Sequence, residues 1–206
     1  IMKKNKISKN WIREQHKDIY VKKSRSIGYR SRSAFKLIEL NDKFHFLKKK
    51  TFIIDLGSSP GGWSQVASEI AIQGKVVSID KKEMDKIENV DFLQGDFSDE
   101  VFQEKIKDKF SNKVDVIISD MAADTTGNKS LDCIRTNSLC IEAISFSRSI
   151  LVDDGTLVSK IFMGDEFNEV RELANKIFKK VGFYKPSSSK DFSKETYIHC
   201  KGLKSL

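Results

Sequence analysis

Apolar positions follow two spacings along most of the chain. Short runs rich in β-branched residues, "TFIIDLG", "KVVSID", "VDFLQGD" and "VDVIISD", alternate with longer segments in which apolar residues recur every three or four positions. The runs predict strands, and the longer segments predict helices from residue 62, near 98–110, over about 133–151 and near 165–180. Three later runs, "GTLVSKIF", "GFYKP" and "ETYIHCKGL", predict further strands. Alternation of this kind is typical of a doubly wound α/β fold, a parallel sheet with helices on both faces.

One further helix is predicted before the first strand. In "SRSAFKLIELNDKF", Ala34, Leu37 and Ile38 stand at helical spacing, and Ser33 is available as the N-cap residue. Lys36 falls off this apolar stripe, so its side chain is expected to point elsewhere. No apolar run approaches the roughly 20 residues that a membrane-spanning helix needs. No internal repeat or low-complexity linker interrupts the pattern.

Positive charge is concentrated at the start of the chain. Residues 1–36 hold twelve Lys or Arg against Glu14 and Asp18, so this segment carries +10, whereas the net charge of the whole chain is +8. We therefore predict a basic arm at 1–30 followed by one domain at 31–206. Such an arm favours a polyanion partner, because each Lys or Arg that contacts a phosphate releases counterions. The aromatic residues among the charges are expected either to stack on bases or to anchor the arm: Trp11, Tyr20, Tyr29 and Phe35.

Cysteine and histidine spacing argues against a disulfide framework and against a metal site. The cysteines are odd in number and lack a C-x-x-C pair, and the histidines lie far apart; they are Cys133, Cys140, Cys200, His16, His45 and His199. The basic start lacks the apolar segment of a secretory signal, so a cytoplasmic location is expected. No long apolar surface run suggests an obligate dimer, and a monomer is expected.

Polar residues follow the predicted strands at the points where these strands end. In a doubly wound sheet, ligands bind beyond the carboxyl ends of the strands, where the strand order reverses. A single acidic residue at such a position is often a helix cap or a solvated strand end. Five together on one edge indicate a site: Asp55, Asp80, Asp96, Asp120 and Lys160.

The glycine-rich loop in "DLGSSPGGWSQ", residues 55–65, limits what this site holds. A P-loop needs G-x-x-x-x-G-K-[ST], but Trp63 follows the glycines here and the next lysine is Lys75. The spacing also departs from the dinucleotide fingerprint G-x-G-x-x-G, which disfavours NAD without excluding it. Carboxylates at Asp55 and Asp80 suit a phosphate-free nucleoside with a cationic end. S-adenosylmethionine fits that description, with the glycines admitting its methionine end and Trp63 beside it.

Five collinear segments resemble the FtsJ (RrmJ) family of heat-shock-type ribosomal RNA ribose 2′-O-methyltransferases, specifically its bacterial branch. They are "DLGSSPGGWSQ", "VDFLQGDF", "VIISDMA", "LVSKIFMGDEF" and "KPSSSKDFSKETYI", and the similarity extends from about residue 31 to the end. The resemblance implies a Rossmann-like, seven-stranded methyltransferase sheet whose last strand is antiparallel. It also implies S-adenosylmethionine as cofactor, with contacts at Gly61, Trp63, Asp80, Asp96 and Asp120.

The same resemblance implies a catalytic set of Lys36, Asp120, Lys160 and Glu195 that methylates a ribose, a uridine in 23S ribosomal RNA of the large subunit. Lys160 is the candidate proton acceptor, Asp120 would orient it, Glu195 would hold the ribose, and Lys36 would position the nucleophile or the RNA backbone. An oxygen acceptor agrees with "SDMAAD", which lacks the Pro-Pro-aromatic sequence typical of base-amine methylation. One departure is that residues 123 and 124 are Ala and Asp, where the family usually has Pro and Asn.

Other functions remain open at this stage. The same architecture serves transfer RNA ribose 2′-O-methylation, and the catalytic residues would not differ. A non-catalytic RNA-binding factor for ribosome assembly could retain the fold, although the four intact candidate residues argue against a dead enzyme. A nicotinamide-dependent oxidoreductase is a further alternative.

Overall fold

The computed structural model describes residues 19–110, 113–124, 126–164, 166–190 and 193–205. Trp11, His16 and the rest of the arm up to residue 18 lie outside these ranges. The described part begins with a helix, α1, over residues 19–27. The other helices are α2 Ala34–Phe44, α3 Gly62–Ile70, α4 Glu100–Lys109, α5 Lys129–Ile150 and α6 Phe167–Ile177. The strands are β1 Phe52–Leu56, β2 Lys75–Asp80, β3 Val90–Gln94, β4 Val114–Ser119, β5 Leu151–Phe162, β6 Phe178–Tyr184 and β7 Glu195–Leu203.

The strands form one seven-stranded sheet in the order β3-β2-β1-β4-β5-β7-β6. Strands β1 to β5 pair in parallel, and β7 lies antiparallel between β5 and β6. This arrangement confirms the doubly wound α/β fold and the antiparallel last strand. The chain runs outward from β1 to β3 and then returns to place β4 on the other side of β1. The strand order therefore reverses between β1 and β4, where a ligand site is expected.

Alternate residues of each strand pack into separate cores on the two faces of the sheet. Ile54 and Leu56 of β1 join the larger core with residues of α4, α5 and α6. Ile53 faces the second core, which contains residues of α2 and α3. Burial on both faces explains why the strands read as nearly continuous apolar runs rather than as alternating ones. This packing holds the carboxyl ends of the strands at one edge.

Three local predictions are wrong. Ser33 does not cap α2 with its side chain; its backbone is already helical, and its hydroxyl hydrogen-bonds Ser31 instead. Helix α5 begins at residue 129, earlier than predicted, because the Asn128 side chain accepts hydrogen bonds from the backbone N–H groups of residues 130 and 131. Helix α6 ends at Ile177, because Phe178 already pairs with Leu203 in the sheet.

The described part of the arm packs on the domain through aromatic rings. Tyr20 and Tyr29 have ring centroids 5.4 Å and 5.9 Å from that of Phe35 at the start of α2. Of the two roles expected for these rings, the structure shows the hydrophobic anchor. The domain boundary at residue 30 stays a prediction. Within the described ranges, no helix has both the length and the apolar character needed to cross a membrane.

Candidate active site

Lys160 and Asp120 meet at the carboxyl ends of β5 and β4. The Lys160 ammonium donates to the Asp120 backbone carbonyl at 2.8 Å and lies 2.9 Å from Asp120 Oδ1. Both side chains are largely buried, with 8% and 16% of their surfaces exposed. A lysine bound at two points by one residue has its nitrogen fixed in position, which is a requirement for a group that handles a proton.

Glu195 and Lys36 complete the cluster from β7 and α2. Lys36 Nζ lies 2.6 Å from Glu195 Oε1, and Lys160 Nζ lies 3.9 Å from Glu195 Oε2. The Ser189 hydroxyl donates to Glu195 Oε1 at 2.9 Å. Positive and negative groups thus alternate from Lys36 through Glu195 and Lys160 to Asp120. The structure brings together all four residues that the sequence proposed as catalytic.

Tyr197 also belongs to this cluster, although sequence reasoning did not single it out. Its hydroxyl donates to Asp120 Oδ1 at 2.6 Å, and its ring is fully buried beside Trp63, with centroids 5.6 Å apart. Lys36 Nζ lies 5.9 Å from the ring centroid. The available signal was strand alternation, because Tyr197 is two residues after Glu195 and therefore shares its face of β7.

The surroundings keep Asp120 ionised and Tyr197 protonated. Burial alone would raise the pKa of Asp120, but the Lys160 and Lys36 ammonium groups and the Tyr197 hydroxyl together lower that pKa below its usual value. Burial raises the pKa of Tyr197 well above its usual value, and the charges of Asp120 and Glu195 add to that shift. The Asp120 carboxylate is therefore a stable anion at the edge of the site.

A cavity of about 520 Å³ opens next to this cluster, at the strand-order reversal. Asp80, Asp96 and Asp120, three of the five predicted cofactor contacts, line it. The Asp80 carboxylate is oriented by two backbone N–H groups, from Ser59 at 2.9 Å and from Lys82 at 2.8 Å. Carboxylates at or just beyond the ends of β2, β3 and β4 thus face a single cavity.

Gly61 and Trp63 are not among the cavity-lining residues. The Trp63 side chain is buried, and its indole N–H donates to the Ser33 carbonyl at 2.8 Å. Gly61 has a φ of +112°, and a Cβ atom there would come within 3.0 Å of an Arg30 guanidinium nitrogen. The Trp63 side chain is engaged in the core, so a cofactor contact at Gly61 or Trp63 would have to be made by main-chain atoms. This contact stays a prediction.

Asp55 is not among the residues that line the cavity either, contrary to the interpretation of the glycine loop. It is fully buried and accepts a hydrogen bond from the Ser64 hydroxyl of α3 at 2.6 Å. Its other oxygen, Oδ1, has no hydrogen-bond partner among the described residues. Burial, with smaller contributions from Asp120 and Asp80, raises the pKa of Asp55 to about 7. Its role is therefore internal to the fold.

Two walls of the cavity were not predicted from the sequence. One carries Lys81 and Asp124, whose side chains form an ion pair at 3.1 Å, so the unusual Asp124 contributes a charge to the rim. The other is a face of α5 with four cavity-lining residues, Arg135, Ser138, Leu139 and Glu142. No known motif marks these positions. In the described ranges, no group of three His, Cys, Asp or Glu residues is placed to hold a metal ion.

Comparison with protein families gives one match over most of the chain. The model of the FtsJ-like methyltransferase family matches residues 29–203. That range contains every residue of the cluster and of the cavity.

Individual proteins agree with this match. The chain is 53% identical over 203 residues to a Pelagibacter ubique protein named Ribosomal RNA large subunit methyltransferase E, covering 98% of this chain and 100% of that one. A crystal structure described as a ribosomal RNA methyltransferase from Plasmodium falciparum has a TM-score of 0.75 and 35% identity, covering 85% of this chain and 98% of that one. An S-adenosylmethionine-dependent O-methyltransferase from Thermotoga maritima shares the fold, with a TM-score of 0.58 at 14% identity over 83% of this chain and 66% of that one.

Proposed function

The chain belongs to the FtsJ-like methyltransferase family, and we propose that it methylates a ribose 2′-hydroxyl in the RNA of the large ribosomal subunit. S-adenosylmethionine is the methyl donor in this family. The acceptor is supported by the name of the Pelagibacter ubique relative, which covers nearly the whole chain. The observation that carries the proposal is the cluster of Lys36, Asp120, Lys160 and Glu195 beside the cavity.

The cavity suits the cofactor in size and in chemistry. Its volume of about 520 Å³ lies in the range of small-molecule sites. Asp80 and Asp96 supply carboxylate acceptors for hydroxyl and amine groups, and Asp120 supplies a negative charge for a cationic sulfur. When bound, S-adenosylmethionine supplies an electrophilic methyl group. The proposed fit depends on these carboxylates and not on a lysine that would neutralise the charge of a phosphate group.

The cluster can bring a ribose hydroxyl into position and receive its proton. A hydroxyl is a poor nucleophile while protonated, so the reaction needs a proton acceptor and a fixed approach direction. Lys160 is the proposed acceptor, held by Asp120 at two atoms. Its ammonium group must first release a proton to solvent, and the neutral amine then takes the proton of the hydroxyl. Lys36, paired with Glu195, is proposed to position the ribose or its phosphate. Transfer then requires no covalent enzyme intermediate.

The basic arm is proposed to bind RNA phosphates beside this cluster. Helix α1 exposes Lys22, Lys23 and Arg25, and it is anchored to α2, the helix that carries Lys36. Structured RNA is recognised largely by its shape and its 2′-hydroxyls, which agrees with a ribose as the acceptor. The proposal extends to a uridine as the modified nucleotide, a cytoplasmic location and a monomeric enzyme.

Labelling of candidate RNAs tests this function. Purified large and small ribosomal subunits and total transfer RNA are incubated separately with the protein and with S-adenosylmethionine labelled in its methyl group. Label is expected in large-subunit RNA, within an alkali-resistant dinucleotide, because a 2′-O-methyl group prevents cleavage of the adjacent phosphodiester. Sequencing that dinucleotide identifies the base. Lys160→Ala is the matched control and is expected to abolish labelling while leaving cofactor binding nearly intact.

The other outcomes separate the alternatives. Label in transfer RNA alone would replace the proposed acceptor. Cofactor binding without label in any RNA would favour a ribosome-assembly factor. Thermal stabilisation by NAD but not by S-adenosylmethionine would favour an oxidoreductase.

A further inference from the structure

Phe162 is the last residue of β5 and lies beside the cluster. It comes two residues after Lys160, so the two side chains project from the same face of the sheet. Its partner across the antiparallel pair is Glu195, just as Tyr197 is the partner of Lys160. Side chains that face each other in this way have Cβ atoms about 4.5–5.5 Å apart. Phe162 therefore borders the cluster at the outer end of β5.

A buried side chain holds the backbone of Phe162 in place. Strand β4 ends at Ser119, which pairs with Ser159, so Phe162 lies beyond the last pairing of β5 with β4. The amide of Asn137, on α5, takes the place of that strand. Its Oδ1 accepts a hydrogen bond from the Phe162 N–H at 2.8 Å, and its Nδ2 donates to the Phe162 carbonyl at 3.1 Å. Asn137 is fully buried, and both polar groups of its amide are used to fix residue 162.

The ring of Phe162, in contrast, belongs to neither core of the domain. Its neighbour Ile161 packs in the larger core, and Tyr197 packs in the second core. Among the described residues Phe162 is a member of neither, and its side chain is half-buried at the edge of the sheet. A fixed backbone and a ring left out of both cores suit a contact surface for a flat ligand.

The position of the acceptor ribose indicates which ligand group reaches this ring. The 2′-hydroxyl must lie at Lys160 to give up its proton. In a nucleotide the base is attached to the ring carbon next to the one that carries this hydroxyl, so the base also begins close to Lys160. Two residues of a strand span about 7 Å, which is within reach of a base on that ribose. Unpaired bases of RNA are commonly held by stacking on aromatic side chains.

We propose that the Phe162 ring stacks on the base of the nucleotide whose ribose is methylated, and thereby holds this nucleotide unpaired at the cluster. The inference rests on the proposed function and names a binding residue for the acceptor in the same site. Every base offers a π face, so the ring holds the nucleotide without selecting its base. A preference for uridine then has to come from other contacts.

Steady-state methylation of large ribosomal subunits tests the assignment. The full chain is compared with Phe162→Trp, Phe162→Leu and Phe162→Ala. The same three changes at Phe52, a partly exposed ring at the start of β1 and the opposite edge of the sheet, are the matched controls. Stacking predicts that Phe162→Leu and Phe162→Ala lower kcat/KM about fivefold or more, whereas Phe162→Trp and the Phe52 variants keep at least the wild-type value. S-adenosylhomocysteine, the product that the cofactor leaves, should bind all Phe162 variants equally, because Phe162 does not line the cavity.

An acceptor without its base separates stacking from packing within the protein. Large subunits are assembled from RNA that carries a ribose without a base at the position identified by labelling, so the 2′-hydroxyl is retained. Loss of the base is expected to lower the wild-type kcat/KM by about the same factor as Phe162→Ala, and the two changes together should cost little more than either alone. Additive losses, or a Phe162→Leu protein that matches wild type, would overturn the stacking role alone. A wild-type protein that labels no RNA would instead refute the proposed function.

Discussion

Lys36 Nζ lies 2.6 Å from Glu195 Oε1, and this buried ion pair joins the helix before the sheet to the last strand. Glu195 is shared, since its other oxygen lies 3.9 Å from Lys160. Removing Lys36 therefore affects the position of Glu195 as well as one positive charge. The pair connects the helix that follows the basic arm to Glu195, which lies beside the proposed proton acceptor.

Lys36→Met is expected to lower the rate constant for methyl transfer about a hundredfold, because misplaced reacting groups and a lost charge both act on the transition state. S-adenosylhomocysteine affinity should change little, since Lys36 does not line the cavity. Single-turnover labelling and calorimetry measure the two quantities. Lys43→Met, an exposed lysine on the same helix, is the control. Wild-type turnover in Lys36→Met would remove the residue from the mechanism.

Tyr197→Phe removes the hydroxyl that donates to Asp120. That hydrogen bond helps to lower the pKa of Asp120, so its loss is expected to raise that pKa. The acid limb of the turnover profile should consequently move to higher pH. The variant should also lose about 1.5–3 kcal/mol of stability, the usual range for a hydrogen bond to a charged group. An unchanged acid limb, with stability lowered, would assign Tyr197 a purely structural role.

The sequence predicted those features that depend on order along the chain. The strands, the doubly wound topology and the polar strand ends follow from apolar spacing, because the central strands are buried on both faces. The meeting of Lys36, Asp120, Lys160 and Glu195 was expected only from the resemblance to a family. The α5 wall of the cavity escaped detection because nothing local distinguishes Arg135, Ser138, Leu139 and Glu142. These residues form a wall only when α5 is laid against the end of β3.

Asp55 was misread for a related reason. An acidic residue at the end of a strand normally faces the ligand edge, but this side chain turns towards Ser64 on α3. Neighbours that come from a distant helix decide its exposure and its charge. Spacing along β1 could not reveal that difference.

Asp55 also gives stability an unusual dependence on pH. Its pKa is raised from 3.8 to about 7 in the folded protein, so the folded state binds the proton more tightly than the unfolded state does. The stabilisation of the folded state by this proton is fully present below about pH 4. It is lost as the pH rises towards 7, which lowers the free energy of unfolding by up to about 4 kcal/mol. His199 acts in the opposite direction, because burial lowers its pKa from 6.5 to about 4, which costs stability as the pH falls through that interval.

Asp55→Asn is therefore expected to reveal the loss of stability on acidification that His199 causes. In the wild type, acidification from about pH 6.5 to 4 stabilises the protein through Asp55 and destabilises it through His199. The variant has only the His199 effect of these two, so it should lose stability steadily over that interval. Urea unfolding at half-unit steps from pH 4 to 8 measures both proteins. Parallel curves for wild type and variant would contradict an elevated pKa at Asp55.

Arg30 holds two loops together beside the cavity that is proposed to bind the cofactor. Its guanidinium group donates to the carbonyls of Pro60 at 3.2 Å, Asp85 at 2.7 Å and Lys86 at 2.8 Å. Arg30→Met is expected to weaken S-adenosylhomocysteine binding about tenfold, because the loop that follows Asp80 loses its attachment. Arg25→Met, an exposed arginine on α1, is the matched control. Equal affinities in the two variants would show that the attachment does not support the cofactor site.

The arm offers a way to separate RNA binding from cofactor binding. Residues 1–18 carry six Lys or Arg against Glu14 and Asp18. Replacing those six with Gln keeps the length and is expected to raise the KM for RNA with little change in S-adenosylhomocysteine affinity. The slope of log affinity against log salt should become less negative by about 0.7–0.9 for each phosphate contact that is lost.

Deleting residues 1–30 is expected to do more than the Gln replacements. The deletion also removes Arg30 and the rings of Tyr20 and Tyr29 that anchor α1 on Phe35. Cofactor affinity should then fall as it does in Arg30→Met, in addition to the loss of RNA binding. Comparing the two proteins by calorimetry and by RNA titration at several salt concentrations isolates each effect. RNA kinetics that match wild type after both changes would show that the phosphates are bound elsewhere, because neither the charges of the arm nor its anchor would then contribute.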